Sequence, residues 1–82
     1  MTVMAHYFRN SETGEVVKRL REQAGLTRYQ LARDAAVSFG QLGNIEGDGA
    51  CPRLDTAVAI ARALSAALER EPASVLAEMA GL

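Results

Sequence analysis

Val16, Val17, Leu20 and Ala24 recur at the spacing of one helix face, with polar residues between them. Asn10 or Ser11 suits the N-cap of this helix, and Glu12 and Glu15 fall where the helix dipole favours acids. Gly25 supplies the left-handed residue that commonly ends a helix. The next stretch, "TRYQLARDAAVSFGQL" (27–42), contains one local pattern twice. Thr27 precedes Gln30 by three positions, and Ser38 precedes Gln41 by the same step. Both read as capping boxes, in which the hydroxyl accepts from a backbone N–H and the glutamine reaches back. Leu26 with Leu31, and Val37 with Leu42, frame them as hydrophobic staples. The pattern predicts a helix of about two turns with Leu31, Ala32 and Ala35 inward. A bend at Ala36–Ser38 follows, then a second helix with Leu42 and Ile45 inward.

"EGDGACP" then reads as a loop, with Gly47, Gly49 and Pro52 as its markers. A fourth helix starts at about Leu54, with Leu54, Ala57, Val58, Ala61 and Leu64 on one stripe. Ile60, Ala63 and Ala67 lie on a second stripe beside it. Glu69 to Glu71 interrupt the pattern, and Pro72 fits the first position of a fifth helix that carries Val75, Leu76 and Met79. Residues 1–10 show no helical period and read as an N-terminal arm. The prediction is one all-α domain over residues 11–82, with the helix-turn-helix at about 27–46 and C-terminal helices at about 54–80.

Composition narrows the chemistry. The chain has 82 residues, 49% hydrophobic but only 5% aromatic, so its core must be aliphatic and small. Alanine, the best helix former, suits such a core. No apolar run approaches the roughly 18 residues of a membrane span, and the N-terminus lacks a secretory stretch. One cysteine, Cys51, rules out an internal disulfide framework and reads as small and partly buried; the expected compartment is a cytoplasm. The net charge is −1, divided as +3 over residues 1–33 and −4 over residues 34–82. A polyanion would therefore have to meet a basic face, because the protein as a whole is not basic.

The segments "LREQAGLTRYQLA", "VSFGQLGNIEG" and "CPRLDTAVAIARAL" resemble the Cro/repressor-type helix-turn-helix family, the xenobiotic-response-element class, from about Gly14 to Leu64. The resemblance implies a compact five-helix, lambda-repressor-like DNA-binding domain whose helix after Ser38 enters the major groove. It also implies a transcriptional regulator, commonly a repressor, that acts as a homodimer on double-stranded DNA. Carried over by position, Phe39, Gly40, Gln41 and Asn44 occupy the base-reading face. Arg28 falls at a phosphate-contacting position, Ser38 caps the recognition helix, and Glu46 precedes the loop. Arg33, Lys18, Arg19 and Arg21 are further candidates for the DNA backbone. Asparagine and glutamine can pair with the N6 and N7 edge of adenine, which makes Asn44 the leading reader. Gln41 has two competing tasks, capping and reading. Phe39 would touch thymine methyls or pack on Tyr29. Leu68, Val75, Leu76, Met79 and Leu82 form the expected dimer interface, or cap the chain's own core.

Two departures from the family pattern stand out. The recognition helix contains Gly40 and Gly43 but no Arg or Lys, and "GDGAC" is acidic where relatives are basic. These features support an alternative, a protein-interaction module on the same fold such as an antitoxin component, antirepressor or polymerase-binding factor. Catalysis and cofactors find no basis. His6 stands alone, one Cys and one His fall short of a structural zinc site, and "GDGACP" lacks the Lys and Ser/Thr of a phosphate loop.

Overall fold

Left-handed residues end the first four helices, glycines at Gly25 and Gly49 and non-glycines at Ala36 and Glu69. The computed structural model describes residues 12–81, and these form five helices: α1 (Glu12–Gln23), α2 (Arg28–Ala35), α3 (Phe39–Asp48), α4 (Leu54–Leu68) and α5 (Pro72–Met79). Gly25, at φ 73°, turns the chain out of α1. Ala36 does the same for α2 at φ 57°, with its N–H and that of Val37 returned to the Arg33 and Ala32 carbonyls. A left-handed alanine costs about 1–2 kcal/mol, so the two carbonyls it satisfies must offset that strain. The proposed caps Asn10 and Ser11, the arm 1–10 and Leu82 lie outside the described residues.

The Thr27 capping box is complete: Thr27 Oγ1 accepts from the Gln30 N–H at 3.1 Å, and Gln30 Oε1 accepts from the Thr27 N–H at 2.9 Å. The Ser38 box forms only half. Ser38 Oγ accepts from the Gln41 N–H at 2.9 Å, but Gln41 Nε2 donates to Thr56 Oγ1 on α4 at 3.3 Å instead of turning back. The loop expected from Glu46 onward begins only at Gly49. Helix α3 runs through Glu46 and Gly47 to Asp48, because the left-handed stop is Gly49 (φ 70°), whose N–H returns to the Asn44 carbonyl.

All five helices contribute to one core. Val17 and Leu20 come from α1, Leu31, Ala32 and Ala35 from α2, and Leu42 and Ile45 from α3. Helix α4 adds Ala57, Ile60, Ala61 and Leu64, and α5 adds Val75 and Met79. The inward face of α4 thus takes Ile60 from the second predicted stripe, while Ala67 is exposed and Val58 and Ala63 are half-buried. Leu54, expected inside, is 56% exposed, since as the first residue of α4 it sits at the end of the helix where little covers it. Cys51 is exposed rather than partly buried. Val75 and Met79, read as dimer-interface candidates, are fully used by the chain's own core at 0% and 1% exposure.

Two contacts draw α1 onto the rest of the bundle. The buried Thr13 hydroxyl donates to the Met79 carbonyl at 3.0 Å, satisfying one of the acceptors that the end of α5 leaves open. One residue later, Gly14 lets the α1 backbone lie directly on α3. A Cβ at Gly14 would stand 2.0 Å from the Ile45 carbonyl oxygen.

Candidate nucleic-acid interface

Helices α2 and α3, joined through residues 36–38, bury one face each and leave the other side of α3 open. Phe39 is 53% exposed; Gly40, Gln41, Asn44 and Gly47 are exposed, and Gly43 is half-buried. Phe39 and Tyr29 both stay largely in water, so Phe39 is not taken up by packing. The Asn44 side-chain amide makes no hydrogen bond with any described residue. Its donors and acceptor are available together. Gln41 is different, since its amide is engaged with Thr56 and a base contact would have to displace that bond.

Three glycines in a ten-residue helix are costly for α3. Added methyls at Gly40 and Gly47 would meet nothing within 4 Å. The double variant Gly40→Ala/Gly47→Ala is therefore expected to stabilise the domain by about 1–2 kcal/mol, from about 0.5–1 kcal/mol per exposed helical glycine. Urea unfolding checks this; no gain, or a loss, would mean that α3 relies on backbone freedom at these sites.

Several of the candidate backbone cations are engaged by acidic partners. Glu46 lies four residues after Leu42 and one after Ile45, on the inward side of α3, and its carboxylate is wholly inaccessible. Arg21 grips it with two hydrogen bonds, Nε to Oε2 at 2.9 Å and Nη2 to Oε1 at 3.1 Å, and its Nη1 donates to the Leu26 carbonyl at 2.9 Å. Arg21 is thus a structural joint between α1, the following turn and α3. At 11% side-chain exposure it is a poor candidate for the DNA backbone. Arg28 also reaches Glu46, Nε to Oε1 at 3.3 Å, but keeps 35% of its side chain exposed. Arg19 pairs with Glu78 of α5, away from α3. Arg33 is exposed beside Asp34 at 3.3 Å, and Lys18 is exposed with no ion pair among the described residues.

Two residues here gain their roles only in the fold. Glu46 belongs to α3 rather than preceding a loop, since its step from Leu42 and Ile45 puts it on the buried face. Arg53, at the start of α4, carries no local motif that would mark it. The Gln41–Thr56 bond brings the first turn of α4 beside that of α3, and Arg53 stands there with an 85% exposed side chain, 3.7 Å from an exposed Asp55. Among the described residues no three His, Cys, Asp or Glu side chains form a metal cluster, and no helix is long and apolar enough to cross a membrane. No curated protein and no solved structure matches the chain. A family model described as helix-turn-helix matches residues 17–69, from the core valine of α1 through the end of α4. That span covers α2, the turn and α3 entirely, and the chain belongs to the Cro/C1-type helix-turn-helix family, a family of DNA-binding regulators and not of enzymes.

Proposed function

We propose that this protein is a sequence-specific transcriptional repressor that binds an inverted-repeat duplex as a homodimer, with α3 in the major groove. The observation that carries this reading is the outer face of α3. Asn44 presents an amide there that bonds to no other described residue, between glycines that let the helix backbone approach base edges closely. Asn44 is assigned to adenine, and Phe39 to the thymine methyls one turn earlier. Gly40 gives the close approach, while Gln41 reads a base only when it leaves Thr56. Ser38 holds the first turn of α3 in place. Backbone contacts fall to Lys18, Arg33 and Arg53, three cations with largely exposed side chains. Such contacts position the protein without specifying sequence.

Dimerisation would set two α3 helices in successive major grooves, about 34–36 Å apart. With Val75 and Met79 inside the monomer, Leu68 and Leu76, both half-buried, remain as the apolar part of that surface. Repression follows from occupying a promoter.

Asn44→Ala is expected to weaken binding to the preferred sequence by about 5- to 150-fold, the equivalent of 1–3 kcal/mol for one bidentate base contact, and to leave binding to unrelated duplexes unchanged. Fluorescence-anisotropy titrations against both duplexes measure it. Equal losses on both would remove Asn44 as a reader. The methyls of Gly40→Ala/Gly47→Ala should likewise weaken DNA binding while raising stability.

One observation favours a second reading. Helix α3 has no cation of its own, and Arg19 and Arg21 are held in ion pairs. On that reading the same face docks a protein, and selection from random duplex DNA at roughly 50 mM salt would return no preferred sequence.

A further inference from the structure

Helix α3 contains no arginine, yet one guanidinium lies on it. Arg28 begins α2, but its side chain runs across to α3, is tied there by one hydrogen bond and lies beside Gly43. Its Nε donates to the buried carboxylate of Glu46 at 3.3 Å. Its Nη1 lies 3.4 Å from the point where a side-chain carbon of Gly43 would begin, so the guanidinium borders the space that Gly43 leaves empty. The Nη1 and Nη2 hydrogens meet no acceptor among the described residues, and about a third of the side chain faces solvent. The result is a guanidinium held at its Nε, with its outer donors open to solvent or to residues beyond those described. Gly43 is the chain neighbour of Asn44.

We propose that Arg28 is a specificity-determining residue that reads guanine, donating to O6 and N7, at the base step next to the adenine assigned to Asn44. Glu46 and Gly43 act as its positioning residues. The inference rests on α3 entering the major groove, as proposed above. A guanidinium has the fork geometry for the paired acceptors of guanine, and fixing it in advance lowers the entropy lost on binding. A phosphate contact would call for a cation reaching outward to the groove wall. This one is tied back onto the helix that enters the groove. The arrangement supplies α3 with the cation missing from its own sequence.

The test is selection of the full-length protein against a random duplex DNA library, followed by titration of single-base variants of the recovered sequence. Wild type should recover guanine directly beside the Asn44 adenine. Arg28→Ala and Arg28→Lys should keep the adenine and lose the guanine preference by about tenfold or more. Melting curves verify folding, which Arg21 supports by keeping Glu46 paired. Gly43→Val retains the Arg28 charge but fills the space beside it, and should lose the same preference. A recovered sequence without that guanine overturns the proposal. So does an equal loss across all sequences for Arg28→Ala, which would mark a phosphate contact and leave the DNA-reading role of α3 standing. Failure of wild type to recover any sequence overturns both.

Discussion

Gly14→Ala is expected to lower the melting temperature by about 12–24 °C, a loss of about 3 kcal/mol at 4–8 °C per kcal/mol for a domain of this size. The new methyl carbon would stand 2.0 Å from the Ile45 carbonyl oxygen, 3.0 Å from its carbon and 3.3 Å from Glu46 Cα. All three atoms belong to a helix backbone, so no side chain can swing aside. Helix α1 would have to withdraw from α3, loosening the packing of Val17 and Leu20 and the Thr13–Met79 bond. For a chain this long, total stability is about 4–12 kcal/mol, so one methyl removes a large share. The measurement is thermal unfolding by circular dichroism beside Gly40→Ala/Gly47→Ala, where the same chemical change should stabilise. A drop at Gly14 of less than about 4 °C would show that α1 and α3 can separate at little cost.

Glu46→Ala is expected to cost about 3–5 kcal/mol, the usual penalty for removing one member of a buried ion pair. The loss arises less from the attraction removed than from what stays behind. Arg21 is 11% exposed and would keep its charge without an acceptor for two of its donors, and Arg28 would lose its tether. Adding Arg21→Met should recover part of the loss, because an apolar chain of similar length needs no counter-charge. The gain stays partial, since Leu26 would lose the donor at 2.9 Å. Urea unfolding of the two single variants and the double variant gives the coupling directly. A Glu46→Ala cost below about 1 kcal/mol, the level of a surface pair, would mean that the carboxylate is not a joint of the fold.

The helix starts and stops show how far local pattern reaches. Thr27 and Gln30 form the box their spacing predicts, because every atom involved lies within four residues. Ser38 and Gln41 have the same spacing and form half of one. The difference is Thr56, fifteen residues away, which offers the Gln41 amide another partner. Val75 and Met79 were legible as an apolar stripe. Whether that stripe met its own core or a second copy depended on where α5 folds back, and it closes the monomer. The arginines divide in the same way. The sequence places basic residues in the first half of the chain, but only the packed helices show that Arg21 is spent on Glu46 while Arg28 keeps its outer donors open.

By itself, the sequence determined an all-α chain of five helices, their approximate ends, the helix-turn-helix and the family. Caps, glycine stops and the 3.6-residue period act over a few neighbouring residues, so their outcome can be read in order along the chain. Tertiary structure decided which glycine is indispensable, which carboxylate is buried and which cations remain available to a nucleic acid. Those outcomes depend on residues brought together across 25 positions, as for Arg21 and Glu46, or 66, as for Thr13 and Met79. A side chain's surroundings there are set by how whole helices cross, and no short stretch of sequence contains that information.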